Sequence, residues 1–339
     1  MKIAGSNPAG GTELDILLPV AGLGTRLRPQ TWSKPKPLVS IAGKTILEHV
    51  LDRVMVVEPE KIVLITGFRA DDMEAWANQH LTVPVAFVHQ PKMLGQTDAI
   101  IRAREVSTKD ALILFPDALF EGDFSNLSMV DADVVMYTKV VEDPSALGIA
   151  VVEDGRIVRL IEKPKDLISK LAVIGIYYVR SMPALYAAID EQIARGITTK
   201  GEYFIADAIQ LMIDGGAKVI SQEVTFWEDA GNTEALLATN ALLLDRGAGE
   251  AGMVHRGDSV VIGPSAVHAD AVIESSVVGP HVSIGAGVVI RNSVVSDTIV
   301  EAGAHIADAV VRHSLIGRSA VVTGSAQRLN VGDNSVVAL

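Results

Sequence analysis

Residues 17–41 read LLPVAGLGTRLRPQTWSKPKPLVSI. An apolar run enters a turn carrying Gly22 and Gly24, and the turn leads into a cationic segment stiffened by Pro29, Pro35 and Pro37. From Ile16 to Leu47 there are five basic residues, Arg26, Arg28, Lys34, Lys36 and Lys44, and no acid, in a chain whose formal net charge is -12. Glycine lets main chain approach phosphate oxygens with no Cβ in the way, Arg offers two parallel N–H donors, and Lys offers a point charge. A strand followed by such a turn predicts a site for an anion.

Outward from this stretch, the chain of 339 residues is 49% hydrophobic, enough for two domains with a sizeable core. Its acidic balance, with a pI near 5.1, argues against nucleic acid or an anionic membrane as partner, since both reward net positive charge. The absence of Cys excludes disulfides and thiolate metal sites and suits a reducing cytoplasm. The apolar stretch Ile16 to Ala21 is short and interrupted by Pro19, so no signal peptide is expected, and no run reaches the roughly 18 apolar residues of a membrane span.

Before residue 250, short β-branched runs alternate with helical patterns. Leu14 to Val20, Lys61 to Thr66, Val83 to His89, Ala111 to Phe115 and Asp133 to Val140 read as buried strands. Thr45 to Val56 reads as a helix, with Ile46, Leu47, Val50, Leu51, Val54 and Met55 on one stripe. This alternation predicts an α/β domain with a mixed, mostly parallel sheet covered on both faces. After residue 250 a six-residue period takes over. Val254, Val260, Ala266, Val272, Val278, Ile284 and Ile290 share one phase, Val294, Val300 and Ile306 a second, and Val310, Ile316 and Val322 a third. Gly263, Gly279, Gly285 and Gly317 follow these positions or their neighbours. Six residues per face and three faces per coil predict a parallel β-helix of about four coils of 18 residues. The expected domains are 12–245 and 253–339, joined by a glycine-rich linker at 246–252, with residues 1–11 disordered.

The glycine turn is neither a dinucleotide fingerprint, because Leu27 stands where the third glycine belongs, nor a P-loop, because Leu38 stands where Gly43-Lys44-Thr45 would need a glycine. With its lysines included, GLGTRLRPQTWSKPKPLVSI resembles the signature of sugar-1-phosphate nucleotidylyltransferases, GxGTRLxPxT followed by PKPLxPI. The resemblance continues in order through ITGFRADDM, QPKMLGQTDAI, FPDALF, LIEKP, VIGIYYV, KGEYFIADAI and WEDAGNTEALLATN. It is closest to the long-form glucose-1-phosphate thymidylyl- and uridylyltransferases, which carry a left-handed hexapeptide-repeat β-helix.

That resemblance implies Mg²⁺-dependent transfer of a nucleotidyl group from dTTP or UTP to a hexose-1-phosphate, most directly glucose-1-phosphate, in a cytoplasmic homo-oligomer. Mg²⁺ prefers oxygen ligands and typically takes one or two carboxylates beside phosphates and water; the family pattern places them at Asp117 and Asp229. Arg26 is carried over as the grip on pyrophosphate and Lys36 as the cation at the α-phosphate, while Lys34 and Lys44 are read as solvated. Ala21, Gly22, Gly24 and Thr25 map to the nucleotide turn, and Gln90 and Gly95 to the base. A Gln amide offers a donor beside an acceptor, as the imide edge of uracil or thymine requires. Glu162, Lys163, Gly148, Gly175 and Lys200 map to the sugar phosphate.

The chain departs from the family pattern at Pro116 and Ala118, which flank Asp117, and at Asp98, an added negative charge beside the base site. Two other functions are carried as alternatives: acetylation of an amino-sugar phosphate by the β-helix, which contains His255, His268, His281, His305 and His313, and a non-catalytic subunit sensing nucleotide sugars. Histidines at outward turns are read as solvated.

Overall fold

The computed structural model describes residues 14–164 and 166–325, so the readings for residues 1–11 and for the C-terminal cap lie outside the described residues. The chain divides into two compact units, residues 14–39 with 44–232 and residues 40–43 with 233–325.

In the first unit, β1 (Leu14–Pro19) is buried on both faces. It pairs in parallel with β2 (Lys61–Thr66), which pairs in parallel with the edge strand β3 (Val85–His89), and on its other side with β4 (Asp110–Leu114). The helix that follows the basic segment, α1 (Ile46–Val54), starts where Thr45 and Glu48 form a reciprocal capping box and buries the predicted stripe of Ile46, Leu47, Val50, Leu51 and Val54. Met55 leaves this helix for a single 3₁₀ turn, which buries it nonetheless. Beyond β4 the sheet changes character. A short strand, β5 (Ala118–Glu121), leaves it, and β6 (Val134–Val140), β7 (Gly148–Glu153), β8 (Arg156–Glu162) and β9 (Leu171–Val179) add mostly antiparallel pairings, β9 lying against β4, β6 and β7. The nine-stranded sheet is therefore mixed, closed by β10 (Val219–Glu223) parallel to β6. Strand β11 (Phe226–Asp229) pairs with β5 outside the main sheet.

The second unit contains α2 (Thr233–Leu243) and a parallel β-helix with three faces. Its inward ladders are Val261, Val278, Val295 and Val311 on one face, Val267, Ile284, Val300 and Ile316 on the next, and Ile273, Ile290, Ile306 and Val322 on the third. These positions revise the repeat reading in two ways. Val260, Val272, Val294 and Val310 face outward, Val310 being 70% exposed, while the neighbouring Val261, Ile273, Val295 and Val311 are inside. The coils are also shorter than 18 residues: Val278 stacks 17 residues after Val261, and Val311 stacks 16 after Val295. Adjacent valines make both registers equally apolar in sequence, so the pleat rather than hydropathy decides which one points in.

A tight corner explains Gly279, whereas nothing lies within 4 Å of a Cβ built on Gly317. A Cβ on Gly279, at φ 110°, would lie 1.9 Å from the carbonyl oxygen of Ile262 on the preceding coil. A buried serine ladder, Ser259, Ser276 and Ser293, accepts from backbone N–H groups one coil on, at 3.1 Å for Ser276 and 3.0 Å for Ser293. The segment read as a linker, 246–252, is largely exposed, and it is tied to the coils where Glu250 exchanges backbone hydrogen bonds with Ser265.

Candidate active site

Strands β1 to β4 run parallel, so their carboxyl ends lie along one edge, the position at which open α/β sheets bind ligands. A cleft of about 390 Å³ opens there, walled by Pro19 to Gly22 after β1, Gln90 after β3 and Phe115 to Asp117 after β4. Gly24, Thr25, Arg26, Lys36 and Gly95 complete the lining on the nucleotide side predicted from sequence.

The glycine turn is held from below. Leu27 is fully buried, and both its N–H, at 3.0 Å, and the Thr31 hydroxyl, at 2.7 Å, donate to the Gly24 carbonyl. Gly24 sits at φ 60°, and a Cβ there would lie 3.0 Å from the Cβ of Lys36, so the close passage of the two segments requires glycine. Gly22 has no such constraint: nothing lies within 4 Å of a Cβ built on it, and its place on the cleft wall is open to a ligand.

Lys36 donates to the backbone carbonyl of Asp117 at 3.1 Å. The paired strands β5 and β11 place Asp229 opposite Ala118, and the N–H of Ala230 donates to the Asp117 carbonyl at 3.2 Å, so the two aspartates meet although 112 residues of chain separate them. Gly231 closes the cluster. A Cβ there would fall 2.7 and 2.8 Å from the Asp229 carboxylate oxygens and 3.0 Å from an Arg26 guanidinium nitrogen. Arg26, Lys36, Asp117 and Asp229 thus share one small volume.

The charges in this cluster are incompletely compensated. Burial pushes the Lys36 pKa down, and Asp117 and Asp229 only partly oppose it while Arg26 adds to it. Asp117 is open to water within the cleft but enclosed by protein elsewhere. Desolvation pushes its carboxyl up, against the pull of Lys36 and with the push of Asp229. The two aspartates, beside space for phosphate oxygens, fit Mg²⁺, which needs few protein ligands. No cluster of three or more His, Cys, Asp or Glu side chains suited to a metal occurs among the described residues.

The sugar-phosphate residues form an adjoining group. Glu162 stands opposite Gly148 in the β7–β8 pairing, and a Cβ on Gly148 would lie 2.7 Å from the Glu162 carboxylate. Desolvation raises the Glu162 pKa against the opposing charge of Lys163. Lys163 reaches Glu162 at 3.8 Å and lies 4.7 Å over the ring of Phe204, a cleft residue. Gly175, at φ 79°, lies where the pairing of β9 with β6 shifts register, and its carbonyl accepts from Phe115 at 3.0 Å. Tyr177, whose hydroxyl pKa is raised first by burial and then by Glu162 and Asp117, stands between the two groups. Lys200 is exposed on a turn and adds positive charge near Glu162 without lining the cleft.

One reading is corrected: Lys34, taken as solvated, is only 2% exposed, whereas Lys44 is exposed and pairs with Asp52. Among the histidines, His281 lies between Asp245 at 3.0 Å and Asp297 at 3.2 Å, and His313 reaches Glu234 at 2.9 Å. The cleft also contains Phe204 and Glu202, which sequence motifs left unassigned, and Tyr203, whose backbone bridges Gly95. A Cβ on Gly95 would lie 2.5 Å from the Tyr203 N and O atoms, a long-range contact that leaves no local signal.

A family model described as nucleotidyl transferase matches residues 16–246. The chain is 30% identical to the glucose-1-phosphate thymidylyltransferase of Streptomyces griseus, over 95% of this chain and 98% of that one. It is 29% identical to the bifunctional protein GlmU of Methanococcus maripaludis, over 69% of this chain and 55% of the relative. The solved structure of UDP-glucose pyrophosphorylase complexed with UDP-glucose has a TM-score of 0.59 at 21% identity, covering 69% of this chain and 100% of that one, a likeness of fold. No helix among the described residues is long and apolar enough to cross a membrane. With a glycine turn, two aspartates and two cations converging on one cleft, and a family match over most of its length, the chain belongs to the nucleotidyl transferase family.

Proposed function

We propose that the protein transfers a uridylyl or thymidylyl group from UTP or dTTP to a hexose-1-phosphate, glucose-1-phosphate being the first candidate, and releases pyrophosphate. The observation that carries this reading is the convergence of Arg26, Lys36, Asp117 and Asp229 in one cleft beside the Glu162–Lys163 group. The relative from Streptomyces griseus that matches along nearly its whole length is named for the same class of reaction.

In the reaction, an oxygen of the sugar phosphate attacks the α-phosphorus, a new P–O bond forms, and the bond to the β-phosphate bridging oxygen breaks, its electron pair leaving with pyrophosphate. Such transfers rest on positioning and on charge stabilisation of the equatorial oxygens and leaving group. Arg26, on the turn, is placed for the departing pyrophosphate. Lys36, anchored to the Asp117 carbonyl, brings a desolvated cation to the α-phosphate. Asp117 and Asp229 would hold Mg²⁺, which when bound screens the repulsion between the two phosphorylated substrates. Lys163 is held by Glu162 and Phe204 and supplies the second phosphate's counter-charge, while Glu162 offers acceptors to sugar hydroxyls. Gly148 keeps the backbone beside that carboxylate clear.

The non-catalytic alternative would be marked by loss of the metal carboxylates or of the leading Arg, and all are present. We assign the β-helix a scaffolding role in a homo-oligomer, which sedimentation of the intact protein would check. The enzymatic reading is tested by pyrophosphate release over a grid of nucleoside triphosphates and sugar-1-phosphates with Mg²⁺. Release is expected with UTP or dTTP and glucose-1-phosphate; no release with any pair would sink it.

A further inference from the structure

Gln90 and Asp98 are both buried at the base side of the cleft, 4% and 6% exposed. Gln90 follows β3 and its backbone N–H donates to Thr66 at 2.7 Å; Asp98 lies in the first turn of the short helix Gln96–Ile101. The Nε2 of Gln90 donates to Oδ2 of Asp98 at 2.8 Å and to the carbonyl of Gly95 at 3.3 Å. The other carboxylate oxygen of Asp98 accepts from Arg102 at 2.8 Å.

These contacts fix which way the amide points. An amide carries one donor end and one acceptor end, and its orientation follows from its neighbours. Both neighbours of this end, a carboxylate paired to Arg102 and a main-chain carbonyl, are acceptors, so only nitrogen fits there. Both hydrogens of Nε2 are spent, and Oε1 is what Gln90 has left to offer the cleft.

We propose that Asp98 is a positioning residue for base selection: by holding the Gln90 amide nitrogen, it makes the cleft present an acceptor and so selects a nucleobase with a ring N–H. The proposal rests on the nucleotidyl-transfer reading above. Uracil and thymine carry N3–H and satisfy Oε1. Cytosine at N3 and adenine at N1 present a lone pair and would set acceptor against acceptor in a buried site, which costs more than a lost hydrogen bond. Guanine, with its own ring N–H, is not rejected by this atom. Arg102 completes the device by pulling the Asp98 carboxylate from the other side.

The lock predicts a specific failure. In Asp98→Asn the single side-chain oxygen is drawn to Arg102, which leaves an NH₂ group facing Gln90. The Gln90 amide then turns over and presents a donor to the cleft.

Equilibrium binding of UTP and CTP by calorimetry, with the intact protein, Mg²⁺ and no sugar phosphate, reads this directly. The native protein is expected to bind UTP about 10- to 100-fold more tightly than CTP. Asp98→Asn is expected to shrink that ratio at least about 10-fold. A merely structural role for Asp98 would weaken both nucleotides together and leave the ratio in place, and that result overturns the proposal. In a Gln90→Leu background, Asp98→Asn should leave the ratio unmoved, because the pair acts as a unit; an unchanged effect of Asp98→Asn there also overturns it. Should Asp98→Asn fail to fold, the native protein still decides: UTP and CTP bound within about threefold of each other overturns the lock alone, with pyrophosphate release unaffected. No binding of any triphosphate overturns the lock and the functional reading together.

Discussion

In the α/β unit, Lys36 and Asp117 lie close together in a cleft where desolvation moves both toward neutrality, Lys36 down and Asp117 up. In the β-helix, His281 stands between Asp245 and Asp297, and its net shift is toward the charged form. The first unit brings partly desolvated charges of both signs together in its cleft, an arrangement suited to the phosphates and metal of the proposed reaction. The second matches charge with charge at its surface. Burial thus dominates the shifts of Lys36 and Asp117 in the cleft, whereas pairing decides the shift of His281 on the coil.

The largest effect that could break this contrast is at the aspartates. Asp117→Asn and Asp229→Asn are each expected to lower turnover at least about 100-fold, the scale for lost charge stabilisation at a transferring phosphate, with the unfolding temperature little changed. Near-native turnover in both would mean that the enclosed carboxylates serve structure. Next in size is a packing test confined to the β-helix. Ile284→Ala should destabilise by about 2 to 4 kcal/mol in denaturant unfolding, because Ile284 is an inward rung, whereas the outward Val310→Ala should stay within about 0.5 kcal/mol. Equal losses would contradict the register described for the coils.

The smallest effect sharpens the surface side. Burial works to lower the His281 pKa, and the hydrogen bonds and charges of Asp245 and Asp297 outweigh it, so the folded pKa is raised. The clasp's contribution is thus fully present below the unfolded pKa of about 6.5 and is lost as pH rises through the folded value. As a partly exposed pair it is worth at most about 1 kcal/mol. His281→Gln should therefore lower the unfolding temperature near pH 5.5 and leave it unchanged near pH 9; a loss of equal size at both would assign His281 to packing alone.

Much of this was legible from residue patterns. The alternation of apolar runs placed β1, β2 and α1 within a residue or two, because buried parallel strands and a capped amphipathic helix carry strong local signals. Motif order brought Arg26, Lys36, Asp117 and Gln90 to one cleft before any coordinates. Three things were hidden for physical reasons. The inward register of the coils was hidden because Val-Val pairs such as Val294 and Val295 are equally apolar. Burial of Lys34 was hidden because a lysine in a polar, basic stretch carries no local signal of burial. The roles of Gly95 and Gly231 were hidden because the backbone and side chains that forbid a Cβ there come from distant segments. Asp98 was visible as a stray charge, but its hydrogen bond to Gln90 and its ion pair with Arg102 needed the fold.

The central claim, that the cleft joins a nucleotidyl group to a sugar phosphate, is tested most directly by following label from UTP carrying ³²P at the α-phosphate, incubated with glucose-1-phosphate, Mg²⁺ and the native protein. The account predicts that the label appears in a nucleotide sugar while the released pyrophosphate is unlabelled, and that Asp117→Asn slows the transfer at least about 100-fold. Label recovered only as UTP, UDP or UMP, with no nucleotide sugar formed from either UTP or equally labelled dTTP, would contradict it.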